Sequence, residues 1–428
     1  MRHPALLLVL FIALALRCLN AIFLPWQEDD MIVSDMKGYD RAAVALLQQE
    51  PLPVHTVEEY LYHPLGSDTY HPPGYYYFLA AIYSLFGHSY LAVRVAQALL
   101  DTITCLLAYL LAKETFGATA GLIAAFVSAA YPPLIFYTGV LLTETLATFL
   151  LTAAALCVLT FARFTHLRRQ MLLVLAGLLL GFAVITRSVF LASVPLVLLW
   201  LLILVEGWRG WSSSVRLTLC LLVPIMLVIV PITIRNWQIH GRLVLISTNG
   251  GVNFFLAHGG SEQRKNEVRN LPPEWSEGDI IGISSRTQPE EESYFYQLGW
   301  RYLRGHLLPT LRSLPDKLRD MYWASDYWPA SPAQLGIMDA LDNVMWRIGI
   351  LPLSLLSLPL FRGHGQRRAL LLALLILSTL IIPLVFWAQP RFRLPVVPSF
   401  IVLAAGSAAM LGQRVVQRPT ARRETIRI

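Results

Sequence analysis

The chain has 428 residues, of which 56% are hydrophobic and 14% are charged, whereas average soluble domains carry about 25% charged residues. Together with a mean hydropathy of +0.55, this composition excludes an ordinary water-soluble domain and indicates a protein built into a membrane. The net charge of +7 is concentrated in short basic clusters between apolar blocks, which favours cytoplasmic loops over a nucleic-acid-binding surface.

Ten apolar segments are predicted to be membrane helices, because about 20 apolar residues span the hydrocarbon core of a bilayer. We place them at residues 5–24, 89–112, 117–132, 142–161, 171–187, 189–206, 216–235, 341–360, 367–387 and 394–412. The first segment resembles a signal peptide, but it lacks a clear small-residue cleavage site, so we interpret it as an uncleaved helix. The predicted fold class is an all-α polytopic membrane protein with interfacial helices in the first outer loop and a mixed outer segment.

The first outer loop carries acidic residues soon after the first span, in the stretch SDMKGYDRAA. Asp35 has two interpretations: it caps a helix that begins near Met36, or it acts as a general base at the membrane surface. Asp40 is predicted to be a solvated helix residue, paired with Lys37 or Arg41.

The apolar stretch at 72–87 is short for a membrane span, opens with two prolines and carries four tyrosines, which favour the membrane–water interface. We interpret it as an interfacial helix. Charge supports this choice, because ten spans put every basic cluster on the cytoplasmic side, at residues 163–170, 207–216, 361–368 and 413–428. The segments 25–71 and 236–340 then both lie outside.

The same topology brings a set of ionisable residues to the outer membrane face: Asp35, His71, Glu144, Arg187, Arg235, Arg391 and Arg393. Glu144 is embedded in an apolar segment, where an ionisable side chain is costly, so a functional role is weighed against a structural ion pair. The arginines lie at helix ends, where they either extend to lipid headgroups or bind a substrate phosphate. Asp101, in the middle of a helix, is predicted to pair with Arg94 or Arg17 in a structural role.

The outer segment 236–340 is long for a loop, and its many aromatic residues argue against disorder. The sequence TNGG at 248–251 predicts a tight turn with positive φ, flanked by short β-like runs. Two amphipathic helices are predicted at 290–305 and 308–323. We expect this segment to help select the acceptor.

Carboxylates and arginines at one membrane face suit the transfer of a sugar from a lipid phosphate. The acceptor hydroxyl must lose a proton as it attacks the anomeric carbon, and a carboxylate can accept that proton. The phosphate leaves as a stable anion, so it needs cations rather than a general acid, and a guanidinium group binds phosphate at two points. Asp35, Glu144 and the outer arginines provide such a set.

Several stretches occur in an informative order: SDMKGYDRAA, YHPPGYYYFLA, YPPLIFYTGVLLTETLATFL, RNWQIHGRLVLISTNGGVNFFLAHG and RFRLPVVPSFIVLAA. In this order they resemble the GT-C glycosyltransferases that use polyprenyl-phosphate sugars. That group includes protein O-mannosyltransferases, the aminoarabinose transferase of lipid A and the bacterial lipopolysaccharide-core galacturonosyltransferase-like proteins. The resemblance spans most of residues 1–410.

The resemblance implies roles for individual residues. Asp35 is the expected base, with Tyr39 on the same helical face, and Met36 stands where the family usually has glutamate. His71 takes the place of a basic residue at the donor phosphate, and Glu144 takes the second acidic position. The expected substrate-binding residues are Tyr39, His71, Arg187, Arg235, Asn249, Arg391 and Arg393. A divalent metal, if the reaction uses one, is expected at Asp35 and Glu144.

The implied function is an inverting membrane glycosyltransferase that moves a hexosyl or pentosyl group from a polyprenyl-phosphate donor to a hydroxyl of a lipid or lipopolysaccharide, a glycan or a protein. The implied division is a GT-C-like catalytic module at 1–235 with its first outer loop at 25–88, the outer segment at 236–340, further membrane helices at 341–412 and a basic cytoplasmic tail at 413–428.

The expected location is the bacterial inner membrane, with the site facing the periplasm or cell exterior. The expected partners are the lipid-linked donor and membrane lipids, with no nucleic acid. A lipid flippase or transporter is the first alternative, although such proteins place polar groups near the bilayer midplane, often in repeated halves. A non-enzymatic scaffold is the second alternative, and it would leave Asp35 free to vary.

Overall fold

The computed structural model describes residues 4–23, 35–49, 69–202, 211–258, 287–324, 327, 336–360 and 364–424. In these residues the regular structure is helical and no β-strand is present. The α-helices in chain order are α1 (Pro4–Phe23), α2 (Asp35–Gln48), α3 (Gly74–Phe86), α4 (Tyr90–Phe116), α5 (Ala118–Ala130), α6 (Pro132–Tyr137), α7 (Glu144–Thr160), α8 (His166–Thr186), α9 (Ser193–Leu199), α10 (Trp211–His240), α11 (Gly250–His258), α12 (Gln288–Gly305), α13 (Leu307–Tyr322), α14 (Gly336–Asn343), α15 (Leu351–Leu360), α16 (His364–Ser378), α17 (Ile381–Val385) and α18 (Val397–Glu424). Shorter 3₁₀-helices lie at Phe161–Arg163, Ser188–Ala192 and Pro390–Val396, and a π-helix lies at Val344–Ile350.

The helices make this chain a polytopic membrane protein, as predicted. Seven helical segments in the described residues are long and apolar enough to cross a membrane: Pro4–Phe23, Tyr90–Phe116, Leu167–Thr186, Ser214–His240, Gly336–Leu360, Gly365–Val385 and Pro390–Arg414. Three shorter apolar segments are Ala118–Ala130, Glu144–Thr160 and Ser188–Leu202. A helix is therefore present at each of the ten predicted positions, while the count of ten crossings stays a prediction.

Glycine allows close packing where α8 meets α10. A Cβ atom at Gly177 would collide with the carbonyl oxygen of Leu221, and one at Gly181 would press on Val228. Small residues let two backbones approach inside a bilayer, where van der Waals packing drives helix association. α8 also packs on α7, so it lies between α7 and α10.

A buried ion pair joins α1 to α4, and it confirms the structural role predicted for Asp101. Nε of Arg17 donates to Oδ2 of Asp101 at 2.5 Å, and the two side chains are 0% and 1% exposed. The remaining guanidinium nitrogens donate to the carbonyl oxygens of Ala129 and Ser128, both at 3.0 Å. Arg17 therefore ties α1 to the end of α5 as well as to α4.

The first outer loop contributes two packed helices. A helix predicted at 72–87 is present as α3, which packs on α2, α4 and α8. The pairing predicted for Asp40 with Lys37 or Arg41 is wrong, because aromatic residues of the following helices cover the carboxylate. Asp40 accepts hydrogen bonds from Tyr83 at 2.6 Å and Tyr90 at 3.1 Å, and it contacts Nε2 of His88 at 2.9 Å.

The described part of the outer segment is helical except for short connecting stretches, the longest of which is 241–249. The two predicted amphipathic helices are present as α12 and α13. The tight turn and β-like runs predicted around TNGG are wrong: Gly250 begins α11, and neither it nor Gly251 has a positive φ. These glycines serve a close approach instead, because a Cβ atom at Gly251 would collide with the backbone carbonyl of Glu292 in α12.

Candidate active site

Four of the predicted site residues meet where helix ends converge. Asp35 begins α2, and Glu144 begins α7. Arg187 follows the last residue of α8, and Arg391 lies in the 3₁₀-helix Pro390–Val396 before α18. Asp35 and Glu144, both predicted at the outer membrane face, lie close together, because a single arginine, Arg391, contacts both.

Arg391 is the centre of this cluster. Its Nη2 lies 3.2 Å from Oδ2 of Asp35, and its Nη1 lies 3.9 Å from Oε1 of Glu144. Arg187 approaches the same Glu144 oxygen through Nη1 at 2.9 Å. The two carboxylates and two guanidinium groups therefore form a connected charge network, which we call the Arg391 cluster.

The members of the Arg391 cluster differ in exposure. Glu144 is 1% exposed and Arg391 is 9% exposed, whereas Asp35 is 33% exposed. A buried carboxylate needs compensating charge, and Glu144 has it from two arginines. Asp35 is the carboxylate of the pair that a substrate can reach.

Three further residues fix the arginines, and none of them was identified from the sequence. Thr143 accepts a hydrogen bond from Nη1 of Arg187 at 3.1 Å, and Gln389 accepts one from Nε of Arg391 at 2.8 Å. The ring of Phe392 lies beneath both guanidinium groups, at 4.9 Å from Cζ of Arg187 and 5.2 Å from Cζ of Arg391. Such cation–π contacts restrict planar cations without neutralising them.

Tyr39 and His71 form an aromatic wall beside Asp35. Their ring centroids are 4.7 Å apart, and Tyr39 also meets Tyr75 edge to face at 5.1 Å. Nε2 of His71 is buried and makes no hydrogen bond with the residues that the structure describes. Tyr39 lies one helical turn after Asp35 on α2, so both side chains share a face of the helix, as predicted.

The surroundings of Asp35 and His71 lower the pKa of both groups. Burial would raise the pKa of Asp35, but the charge and hydrogen bond of Arg391, together with the charges of His71 and Arg187, outweigh it, so this pKa lies below its ordinary value of 3.8. Burial lowers the pKa of His71 below its ordinary value of 6.5, against an opposing contribution from Asp35. Burial also raises the pKa of Tyr39 far above that of a free phenol.

The side chain of Gln97 holds the turn before Glu144 in place. Nε2 of Gln97 donates to the carbonyl oxygens of Thr138 and Val140, at 3.0 and 2.9 Å. Oε1 of Gln97 accepts a hydrogen bond from the Tyr75 hydroxyl at 2.9 Å. The aromatic wall and the turn that carries Glu144 are thus linked through one buried amide in α4.

Three predicted residues have their described contacts elsewhere. Nη1 of Arg235 donates to Asn236 at 3.3 Å. Oδ1 of Asn249 accepts a hydrogen bond from Ser247 at 3.1 Å. Arg393 donates to the carbonyl oxygens of Met321 and Ala324, faces Asp342 at 3.8 Å and lies 4.3 Å from the Trp346 ring centroid.

The carboxylates of the Arg391 cluster do not fit a divalent metal between them. Arg391 contacts Asp35 on one side and Glu144 on the other, so its cation takes the position that a bridging ion would need. Within the described residues, His, Cys, Asp and Glu form no group of three that could hold a metal.

Chemically, the Arg391 cluster combines a reachable, ionised carboxylate with two oriented guanidinium groups. A carboxylate can accept a proton from an incoming hydroxyl. Guanidinium groups stabilise negative charge that develops on a departing phosphate. The neutral imidazole of His71 adds a polar group that can donate or accept a hydrogen bond.

Comparison with known proteins supports the resemblance seen in the sequence. A family model described as dolichyl-phosphate-mannose-protein mannosyltransferase matches residues 70–234, a range that includes His71, Glu144 and Arg187. No curated protein sequence matches the chain significantly.

Solved structures of GT-C glycosyltransferases share the fold of this chain. The oligosaccharyltransferase AglB of Archaeoglobus fulgidus, in complex with an inhibitory peptide and a dolichol-phosphate, has a TM-score of 0.58 at 16% identity and covers 98% of this chain. ArnT of Cupriavidus metallidurans bound to undecaprenyl phosphate has a TM-score of 0.53 at 15% identity and covers 94% of this chain. The chain spans 52% of that oligosaccharyltransferase and 59% of ArnT, and the predicted GT-C fold is confirmed.

Proposed function

We propose that this chain is an inverting membrane glycosyltransferase that moves one sugar from a polyprenyl-phosphate donor to a hydroxyl acceptor. The observation that carries the proposal is the contact of Arg391 with both Asp35 and Glu144. In this contact the proposed proton acceptor and the proposed phosphate-binding cation are neighbours at a junction of helix ends. The dolichol-phosphate and undecaprenyl phosphate bound by two proteins of the same fold support a polyprenyl-phosphate donor here.

In the proposed reaction, the acceptor oxygen attacks the anomeric carbon as the bond from that carbon to the phosphate oxygen breaks. The hydroxyl proton passes to Asp35, and the electron pair of the broken bond leaves with the polyprenyl phosphate. A single displacement inverts the anomeric configuration. The proposed steps use no metal ion, since among the described residues Arg391 itself lies between the two carboxylates.

The arginines are proposed to receive the phosphate. Arg391 and Arg187 both present guanidinium groups that Phe392 holds in place, and each can bind phosphate oxygens at two points. Glu144 is the proposed positioning residue, because it contacts both cations and is itself buried. Tyr39 and His71 are proposed to contact the sugar or its phosphate.

Arg235, Asn249 and Arg393 stay predicted substrate-binding residues. The domain division at 235, 340 and 412 likewise remains a proposal. The distribution of basic clusters supports a site at the outer face of a bacterial inner membrane, facing the periplasm or cell exterior. The acceptor is proposed to be a lipid or lipopolysaccharide, another glycan or a protein hydroxyl.

Replacement of Asp35 with asparagine tests the proposal. Purified protein in nanodiscs is incubated with radiolabelled polyprenyl-phosphate sugars and envelope extract, and transfer is followed by label in the acceptor. We expect Asp35→Asn to lower transfer by about 10²–10⁴-fold, because general-base catalysis contributes about that much, while donor binding persists.

Asp40→Asn is the matched control, since Asp40 lies on the same helix and contacts Tyr83, Tyr90 and His88. It should keep most of the transfer activity. Equal activity of wild type and Asp35→Asn would refute the assignment of the base. Donor-independent lipid movement in liposomes, without transfer, would support the flippase alternative.

A further inference from the structure

The His71 segment, which we define as residues 69–74, is fixed at its C-terminal end. Gly74 begins α3, which packs against α8. A Cβ atom at Gly74 would collide with Oγ1 and the backbone nitrogen of Thr186, the last residue of α8. Two buried prolines stand between His71 and Gly74, and proline fixes its own φ and restricts the residue before it. Little rotation is therefore available between His71 and the start of α3.

Thr69 fixes the other end of the His71 segment. Its side chain is buried, and its hydroxyl donates to Oε1 of Gln288 at 2.5 Å and contacts Nε2 of His240 at 2.9 Å. Its carbonyl oxygen accepts a hydrogen bond from the backbone nitrogen of Thr248 at 2.8 Å. These partners belong to the end of α10, to the loop that follows it and to the start of α12. Three parts of the outer segment therefore meet at one threonine.

Between these two fixed ends, His71 reaches the candidate active site. The centroid of its ring lies 4.7 Å from that of Tyr39 and 4.9 Å from that of Tyr70. Thr69 is two residues away from His71, which is at most about 7 Å along an extended chain. The position of the Thr69 backbone therefore limits where the imidazole can lie.

We propose that Thr69 is a positioning residue for sugar transfer, which holds His71 beside Tyr39 by joining the His71 segment to the outer segment. This role rests on the proposed function, in which His71 and Tyr39 contact the sugar or its phosphate. Loss of the Thr69 hydroxyl releases one end of the His71 segment, while the packing of Gly74 on α8 keeps the other end in place. The imidazole is then no longer held at one position, and its contact with the donor weakens.

Thr69→Val tests the proposal, because it removes the hydroxyl and keeps the branched shape of the side chain. Kinetics are measured on the full chain in nanodiscs with one polyprenyl-phosphate sugar. We expect KM for the donor to rise by about tenfold and kcat to change by less than about twofold, because a polar contact made equally before and during the reaction is weakened. Thr69→Ser keeps the hydroxyl and should restore most of the donor affinity.

Thr115→Val is the matched control, since the buried hydroxyl of Thr115 donates within α4, to the carbonyl oxygen of Leu111 at 2.8 Å. It should leave both KM and kcat unchanged. Gln288→Met removes the hydrogen bond to Thr69 from the side of the outer segment. It should raise KM in the same direction, and it keeps the proposal testable if Thr69→Val does not fold.

Chemical modification of His71 gives a second measurement that needs no turnover. Nε2 of His71 is buried, so faster modification by diethyl pyrocarbonate, located by mass spectrometry, reports release of the ring. We expect His71 to react faster in Thr69→Val than in wild type, and at the wild-type rate in Thr69→Ser. His88, whose side chain is 49% exposed, is the internal reference and should react equally in all proteins.

The proposal requires both effects. An unchanged KM, or an unchanged rate of His71 modification, in Thr69→Val and Gln288→Met would overturn it. A loss of thermal stability without either effect would overturn it as well, because the role of Thr69 would then be structural. Absence of transfer in wild type would refute the proposed function instead, and the rate of His71 modification would still decide whether Thr69 holds His71.

Discussion

At the scale of single residues, Asp35 and Glu144 are both carboxylates beside Arg391, but their surroundings give them different capacities. Glu144 is 1% exposed and contacts two guanidinium groups, whereas Asp35 is 33% exposed and contacts one. A buried group that only other protein groups can reach orients its neighbours. A partly exposed carboxylate can meet a substrate. The difference in exposure, rather than in residue type, therefore distinguishes Asp35 from Glu144.

The pH dependence of transfer should report the environment of Asp35. Its pKa is held below 3.8, mainly by Arg391 acting against burial. The fall of kcat/KM in acid should therefore occur at a pH below the ordinary pKa range of aspartate. Replacing Arg391 with glutamine removes the largest contribution that lowers this pKa. The fall of kcat/KM in acid should then move to higher pH. The measurement is kcat/KM against pH for both proteins with one donor. A fall that stays at the same pH would show that a different group controls it.

The same shift fixes the sign of the contribution of Asp35 to stability. Because the folded pKa lies below the unfolded pKa, the contribution is present above the unfolded value and is lost as pH falls through the folded value. Removal of Arg391 should therefore reduce stability at neutral pH more than in strong acid.

Glu144 should behave as a positioning residue. Glu144→Gln keeps the shape but removes the charge that orients Arg187, so we expect kcat to fall by about 10²-fold, the order found when one oriented charge-stabilising contact is lost. Glu144→Asp keeps the charge and should recover part of that loss. Steady-state kinetics with separate kcat and KM check this, and a change confined to thermal stability would contradict it.

At the scale of helices, two helices pack most closely where one of them has a glycine, because no Cβ atom then separates their backbones. Gly251 in α11 lies against the backbone of Glu292 in α12, and no Cβ atom fits there. At Gly305, the last residue of α12, a Cβ atom would meet nothing within 4 Å. The two glycines belong to the same helix pair but differ in what surrounds them.

Gly251→Ala should therefore force α11 away from α12 and lower stability by about 1–3 kcal/mol, the usual cost of overpacking. Gly305→Ala, its control, should change stability by less than about 0.5 kcal/mol. Thermal unfolding in detergent, followed by circular dichroism, compares the two variants. Equal midpoints would mean that the α11–α12 contact adds little to stability.

The sequence predicts helices more reliably than it predicts how they are used. Apolar blocks of bilayer length gave ten helical positions, and amphipathic spacing gave α12 and α13. The prediction at TNGG was wrong because glycine permits both a positive φ and close packing. The sequence around Gly251 does not reveal that Glu292 of α12 lies against it. Asp40 misled for a similar reason, since its partners Tyr83 and Tyr90 come from later helices.

The sequence predicted the membrane level of the candidate site residues, but it could not predict which of their side chains face each other within the bundle. Charge distribution placed Asp35, Glu144, Arg187 and Arg391 at one membrane face, yet helices of one bundle can turn such residues toward each other or apart. Phe392 could not be identified, because an aromatic residue between two arginines is equally consistent with a lipid-facing side chain. Its cation–π contacts exist only in the folded arrangement.

At the scale of the whole molecule, the buried pair between Arg17 and Asp101 joins α1 to the rest of the bundle. Removing one partner of a buried ion pair strands the other charge and costs about 3–5 kcal/mol, whereas removing both together is often nearly neutral. We expect Arg17→Met to destabilise the protein strongly and Arg17→Met with Asp101→Leu to recover most of the loss. Thermal unfolding of wild type, of Arg17→Met and Asp101→Leu singly, and of the double variant in nanodiscs completes a double-mutant cycle, and additive losses would contradict the coupling.

The pair between Arg17 and Asp101 also sets an order of events during biosynthesis. The carboxylate that Arg17 needs lies 84 residues further along the chain. Arg17 lies in the second half of α1, and an unpaired arginine in a membrane helix costs up to about 2.5–3.5 kcal/mol, the value at the helix centre. The buried cation of α1 therefore gains its carboxylate partner only when α4, the next of the long apolar segments, has been made.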